Sequence, residues 1–517
     1  MPIFKTKTYT TLWLNWFEIT IEADSNKALP TIEIIWLPDP AIKESKERLR
    51  ATFRNVGIDL PKRKIVLNLA PSDTKKVWTS FDLPMAMAIL LLIYEWQVAH
   101  AHQIDKFLFF GELGLDWAIK RVNGLLPSVI NAMHHGYQDF FVPAENIYEL
   151  EYVPGIRIYP LNNFREVVQY FIQGKDFNLI DQAKDIQDLY SASSKFEVDF
   201  AHIKWHILAK RALSIAAAWL HNLIMVWSPG SWKTLLSKAL QSILPPLGFE
   251  EILEVSQIYS VVWKLNKDLP LITQRPFRQV HHTASKISII GGWSLLTPGE
   301  VSMAHKWILF FDELTEFPRE VLEVLRQPIE DKTIVISRVS GTIQYPANFM
   351  FVAAMNPCKC WFYKDPEKNC SCGIHDIRKY QSKISWPLLD RIDMILEIPR
   401  ENIDKILDNF QWESSESIRS KVINAWKIQQ ARFRSLNIFS NSQITSKHID
   451  SLIPLDSASK DFLSQASQKL ILSPRIIHRT IKLARTIADM NWETDVAVKH
   501  LAEAMQYRSK TMFVENE

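Results

Sequence analysis

A chain of 517 residues, 47% hydrophobic and 23% charged, exceeds what one core organises and predicts a globular protein of roughly two to four domains. Its net charge of +3 excludes a global field for polyanions, so a nucleic acid would have to be met by local patches. The four cysteines all fall between 358 and 372, the amino terminus Met-Pro-Ile-Phe-Lys-Thr-Lys lacks the apolar stretch of a signal peptide, and the longest apolar run, 83–96, is too short for a bilayer; these exclude a disulfide scaffold and a membrane partner and predict a cytoplasmic protein.

Residues 1–175 read as an α+β or α/β domain. Apolar and polar residues alternate over 18–23, 31–35 and 64–69, the period of half-buried strands. The stretch 40–56 is amphipathic and helical, with further helices predicted over 85–96 and 126–135. Lys62, Arg63 and Lys64 read as a solvated turn. Residues 176–200, polar and containing Ser191-Ala-Ser-Ser, read as a linker.

A helix over 206–220 then precedes an apolar strand that ends in Trp227-Ser228-Pro229-Gly230-Ser231-Trp232-Lys233-Thr234. This has the shape of a phosphate-binding loop, G-x-x-x-x-G-K-[ST], with tryptophan at both glycine positions. Glycine is needed there because backbone N–H groups must curl closely around phosphate oxygens. Lys233 and Thr234 stand where the phosphate-binding lysine and the Mg2+-binding hydroxyl belong. The competing reading is a buried strand, turn and helix with a chance Lys-Thr.

Composition bears on that choice. The chain has 14 glycines and 18 tryptophans, whereas globular proteins average roughly 7% glycine. The two counts together, 32 residues, come near the ordinary glycine share. Some bacterial lineages decode UGA as glycine where common tables give tryptophan, so many of these tryptophans read as glycines of the native protein. The alternative is a tryptophan-rich protein with a degenerate loop.

The run Ile308-Leu-Phe-Phe-Asp312-Glu313 reads as a buried parallel strand ending in two acids, which fits Asp312 as a Mg2+ holder and Glu313 as the group that orients an attacking water. Acids at a helix start are the competing reading. A third strand, 349–355, ends in Asn356, suited to sensing a γ-phosphate. Cys358, Cys360, Cys370 and Cys372 form two C-x-C pairs with the spacing of a tetrahedral Zn2+ site; unliganded reduced thiols are the alternative. Helical spacing over 418–433 and 475–490 predicts a mainly helical end, 401–517. Lys469, Arg479, Lys482 and Arg485 there fit a solvated face as readily as a DNA contact.

Phrases along the whole chain carry a resemblance: Asn68-Leu-Ala-Pro, Phe81-Asp-Leu-Pro, Gly111-Glu-Leu-Gly-Leu-Asp, Arg275-Pro-Phe-Arg, His281-His-Thr-Ala-Ser, Asp312-Glu-Leu, Ala353-Ala-Met-Asn-Pro-Cys, Pro387-Leu-Leu-Asp-Arg-Ile-Asp and Ala484-Arg-Thr-Ile-Ala-Asp. Together they resemble the ComM/YifB family of AAA+ ATPases, related to magnesium chelatase. Trp13, Trp16, Trp36, Trp78, Trp117, Trp205, Trp219, Trp227, Trp232, Trp293, Trp307, Trp361 and Trp386 fall where the family pattern carries glycine, and Trp96, Trp263 and Trp492 extend the set; Trp412 and Trp426 have no assigned counterpart.

The resemblance implies an α/β P-loop AAA+ core over 201–400, an amino-terminal domain like that of Lon protease, and a carboxyl-terminal helical lid. It implies ATP and Mg2+ as cofactors, a homo-hexamer, and DNA as partner. Arg391 resembles the arginine finger that reaches into the next subunit's site, Arg475 resembles sensor 2, Asn356 resembles sensor 1, and the stretch 275–300 resembles a pore-lining insertion, with a structural or pore role for His281 and His282. The stretch 122–136 has no lysine, so no Lon-type peptidase activity is expected. The leading function is an ATP-driven branch-migration motor of recombination and natural transformation. The alternatives are a chelatase-type motor subunit and, if Trp227 and Trp232 are literal, a non-hydrolysing scaffold.

Overall fold

The computed structural model describes residues 4–12, 15–35, 40–71, 81–95, 97–192, 196, 198–203, 207–227, 233–292, 297–338, 341–365, 367–398, 413–434, 441–470 and 472–508. It divides into two units, one of residues 1–192, 249–272 and 337–344, the other of 193–248, 273–336 and 345–517. No helix of the described residues is long and apolar enough to cross a membrane.

The first unit is built on a seven-stranded mixed sheet. Its strands are β1 (Phe4–Leu12), β2 (Asn15–Asn26), β3 (Thr31–Ile35), β4 (Lys64–Ala70), β5 (Phe107–Phe109), β8 (Asp139–Pro143) and β9 (Arg157–Leu161), in the order β3-β4-β2-β1-β5-β8-β9. A small hairpin, β6 (Glu112–Leu113) and β7 (Ile119–Lys120), stands apart. Alternation sets one face: Ile65, Leu67 and Leu69 of β4 are buried between partly exposed neighbours. The helix Pro40–Val56 has the bounds its amphipathic pattern predicts. The next helix, Asp82–Tyr94, begins three residues earlier than expected. Asp82 is fully buried there, because Arg48 Nε donates to it at 2.6 Å and the Leu113 N–H at 3.2 Å. The predicted linker is not bare: Gln187–Ala192 is helical and Ile180 bridges to Ile158. Lys64 opens β4, as the alternation over 64–69 predicts, and of the basic cluster Lys62 and Arg63 stand in the bend before it.

The second unit carries a five-stranded parallel sheet of β10 (Leu223–Trp227), β11 (Phe277–Val280), β12 (Ile308–Phe311), β15 (Met350–Met355) and β16 (Met394–Ile398), ordered β11-β12-β15-β10-β16. A separate hairpin joins β13 (Thr333–Arg338) to β14 (Gly341–Pro346); its residues 337–344 belong to the first unit. β12 and β15 are buried at every position, which is why they read as unbroken apolar runs. Behind them the helices Ile207–Trp219, Lys233–Ile243, Ser415–Phe433 and Pro474–Met490 contribute to one core with the sheet.

Four tryptophans lie in the left-handed region: Trp117 (φ 66°), Trp263 (φ 56°), Trp361 (φ 72°) and Trp492 (φ 63°). They are four of the eleven non-glycine residues with positive φ among the described residues, far above the 18 in 517 that tryptophan contributes to the chain. Each stands in a turn that favours glycine. Trp117 closes the tight loop between β6 and β7, its N–H reaching Gly114 O at 3.0 Å. After the helix Phe249–Val261, Trp263 N donates to Ser260 O and Lys264 N to Tyr259 O, the two bonds of a Schellman cap with its left-handed residue at Trp263. Trp219 and Trp307 are buried with indole N–H groups that have no acceptor among the described residues, an uncommon state for buried tryptophan.

Candidate functional site

The parallel order gathers the predicted residues at two opposite edges of the second sheet. At the carboxyl edge, β10 runs into 228–232 and the helix Lys233–Ile243 begins directly after. Ser228, Pro229, Gly230, Ser231 and Trp232 lie outside the described residues, as do the side chains of Trp227, Lys233 and Thr234. The backbone frame is the expected one, a buried strand, a short connection and a helix whose amino-terminal N–H groups favour an anion.

Beside it, β15 pairs with β10 in the register Val226↔Met355, so Asn356 follows at the same edge; it is a buried polar residue. β12 lies on the other side of β15 and delivers Asp312 and Glu313. Asp312 Oδ1 accepts from the Glu313 N–H at 2.9 Å, and Glu313 adopts φ 50° to start the turn Leu314–Glu316. His282, just past the end of β11, brings Nδ1 within 3.9 Å of Glu313 Oε2. A histidine two residues beyond the end of β11 gives no sign of this pairing, since its partner is 31 positions away.

Arg391 and Arg475 lie at the amino edge instead. Asn222, the residue before β10, organises it: its N–H donates to Asp393 at 3.0 Å, its Nδ2 to Arg391 O at 3.2 Å, and its Oδ1 accepts from Phe351 N at 2.9 Å. Arg479 donates to Asp393 at 2.5 Å and to Arg391 O at 2.8 Å. Burial alone would raise the Asp393 carboxyl, but Arg479 and His221 hold it well below the usual carboxylate range. The guanidiniums of Arg391 and Arg475 both donate to one carboxylate, Glu330. A five-residue strand spans about 16 Å, so one chain does not bring these arginines to its own Lys233 edge. Pro474 occupies the first turn of the helix that carries Arg475, where its missing N–H costs nothing, and Ser473 caps that turn.

The basic residues of the carboxyl-terminal helices depart from the expected solvated face or DNA contact. Arg479 is bound to Asp393, and Lys482 Nζ donates to Ser442 O at 3.2 Å. Arg485 is buried against Asp489, four residues on, with Arg432 on the same carboxylate. Only Lys469 of the four is exposed. The other three charges turn inward because each has a carboxylate or carbonyl to receive it.

The four cysteines converge. Cys358 Sγ lies 3.4 Å from Cys360 and 3.7 Å from Cys370, Cys360 lies 3.4 Å from Cys370, and all four sulfurs fall within 4.8 Å of one another. Tetrahedral Zn–S bonds of about 2.3 Å place sulfurs about 3.8 Å apart, so the set fits a zinc ion. Burial pushes the Cys360 thiol up, but the Phe362 N–H and the neighbouring thiols bring it down to about 5. Burial raises Cys358 to about 12. Left-handed Trp361 follows Cys360 directly, its N–H on Cys358 O at 3.1 Å.

Three family models match the chain: magnesium chelatase, subunit ChlI, over 199–406; subunit ChlI of Mg-chelatase over 21–146; and the magnesium chelatase subunit ChlI C-terminal model over 412–508. The competence protein ComM of Haemophilus influenzae is 34% identical over 504 residues, 95% of this chain and 94% of the relative. The uncharacterized protein YifB of Escherichia coli is 34% identical over 503 residues, 97% of this chain and 96% of its own. An uncharacterized protein of Mycobacterium tuberculosis is 32% identical over 493 residues, 95% of each. The three family models, and relatives 32–34% identical over 95–97% of its length, place this mixed α/β chain in the magnesium-chelatase-like family of ComM and YifB.

Proposed function

We propose that this protein is an ATP-hydrolysing motor that works as a homo-hexameric ring on branched or single-stranded DNA, in the cytoplasm, with glycine at the tryptophan positions that fall where the family pattern carries glycine. One observation carries the reading: Lys233, Thr234, Asp312, Glu313 and Asn356 belong to one edge of the sheet and Arg391 and Arg475 to the other. Each copy thus offers two halves that face apart, and a head-to-tail neighbour completes them, the kind of contact that closes into rings. The Haemophilus relative is a competence protein, which supports DNA as the partner.

The donor set at the carboxyl edge fits ATP with Mg2+, which when bound supplies the γ-phosphoryl group and the divalent charge beside it. Lys233 would pair with phosphate oxygens, and Thr234 and Asp312 would hold Mg2+. Glu313 would orient a water and receive its proton, with Asn356 steadying it. Arg391 and Arg475 from the next copy would offset charge developing on the phosphoryl oxygens. In this reading 1–175 is a Lon-like domain without peptidase activity, 176–200 a linker, 201–400 the motor core and 401–517 the lid. Zinc on Cys358, Cys360, Cys370 and Cys372 would hold the 358–372 segment.

The test is ATP hydrolysis and strand displacement on a branched DNA by the full-length protein. Lys233→Ala is expected to abolish both; undiminished turnover in that variant overturns the site. The match to the magnesium chelatase subunit favours one rival, a motor that drives Mg2+ insertion into a porphyrin. Hydrolysis without any strand displacement would select it.

A further inference from the structure

We infer that Glu330 is a positioning residue that holds Arg391 and Arg475 as one unit, so that the two guanidiniums reach a neighbouring copy's nucleotide together. The inference rests on the motor reading above. Glu330 sits at the end of the short helix Arg326–Asp331 and uses its two oxygens separately: Oε2 receives Arg391 Nη2, and Oε1 receives Arg475 Nη2. Arg391 and Arg475 are 84 positions apart in sequence, and among the described residues this carboxylate is the group that both of them contact.

Arg391 depends on that contact. Its carbonyl is already gripped by Asn222 and Arg479, so the backbone is fixed and only the guanidinium remains to be aimed. Nη1 donates to Pro387 O at 2.8 Å, and Nε is buried without a partner among the described residues. Burial together with nearby Arg326 and Arg479 works against the Arg391 charge, and Asp390 and Asp331 offset only part of that. Without Glu330 two like charges would be left side by side and would swing apart.

Glu330 itself is exposed at 39% and fills no core position, so the fold does not depend on it. Its sequence signal is absent for a physical reason. The arginines it joins come from two other segments, and the helix that bears it is six residues long.

The experiment uses the full-length chain with glycine at the tryptophan positions assigned to glycine above, Trp412 and Trp426 being kept. Glu330→Ala and Glu330→Gln are expected to lower kcat for ATP by at least ~10-fold, because an arginine contact of this kind supplies more than that, with KM changed less than ~2-fold. Glu330→Asp is expected to recover part of the rate. Mixing Glu330→Ala copies with Lys233→Ala copies is expected to restore hydrolysis, since the second variant lends intact arginines to the first one's nucleotide sites. A merely structural loss in Glu330→Ala would not be rescued in this way. Unchanged kcat in Glu330→Ala, or a mixture no more active than its parts, overturns the inference while the motor reading stands. No hydrolysis by the protein with Glu330 intact overturns both.

Discussion

Trp492 takes the place at the end of the helix Pro474–Met490 that Gly136 takes after Leu125–His134. In the first, Trp492 N reaches Asp489 O at 3.3 Å and Glu493 N reaches Ala488 O at 2.9 Å; in the second, Gly136 N reaches Met133 O at 2.9 Å and Tyr137 N reaches Ala132 O at 3.1 Å. The backbone is left-handed in both, φ 63° and 89°. A side chain in that conformation costs roughly 1–2 kcal/mol, and glycine avoids the cost. The caps therefore ask for glycine where the chain reads tryptophan, and the same holds at Trp263, Trp117 and Trp361.

The prediction is that protein isolated from its own host carries glycine at 117, 227, 232, 263, 361 and 492, by peptide mass. In a laboratory form, Trp492→Gly is expected to raise unfolding stability by about 1 kcal/mol. Tryptophan in the peptide spanning 227–232 would remove the phosphate-binding loop and leave the scaffold alternative.

Zinc gives a second prediction. The purified chain is expected to hold one zinc ion, lost on Cys360→Ser or Cys370→Ser, with the unfolding free energy lowered by roughly 2 kcal/mol or more. Elemental analysis and thermal scans with and without chelator read this. A chain free of metal, and indifferent to chelator, would return these cysteines to plain reduced thiols.

Lys210 predicts an alkaline gain in stability. It is buried, its Nζ donates to Phe200 O at 2.8 Å, and burial lowers it to about 8. An unfolded lysine keeps its proton to about 10.4. Between those values the unfolded chain binds more protons, so stability rises with pH by up to ~1.4 kcal/mol per unit. Lys332 and Lys482, also lowered to about 8 by burial, act in the same direction. The difference in slope between the unaltered chain and Lys210→Met, from urea unfolding at pH 8 and pH 10, isolates Lys210. Equal slopes would refute its part.

What the sequence disclosed and what it hid follow from the range of the interactions. Asp312, Glu313 and Asn356 were legible because each ends a strand buried on both faces, and such a strand is an unbroken apolar run. The helix Pro40–Val56 was legible from its own periodicity. β5, β8 and β9 were not, being short runs with no alternation to mark a face. The amino edge was hidden because its bonds are long-range: Asn222 meets Asp393 across 171 positions and Glu330 meets Arg475 across 145. The Arg485–Asp489 pair, by contrast, sits at i, i+4 and was open to discovery from spacing alone.

The separation of the two edges by the length of β10 bears on how such a protein behaves in dilute solution. On the proposed motor, a solitary copy would hold a complete inventory of parts and no complete reaction centre, so dilution would act as an off-switch without any inhibitor. Turnover per molecule should climb steeply with concentration and level off once rings have formed. The cell's expression level would then set a threshold below which such a motor spends no ATP.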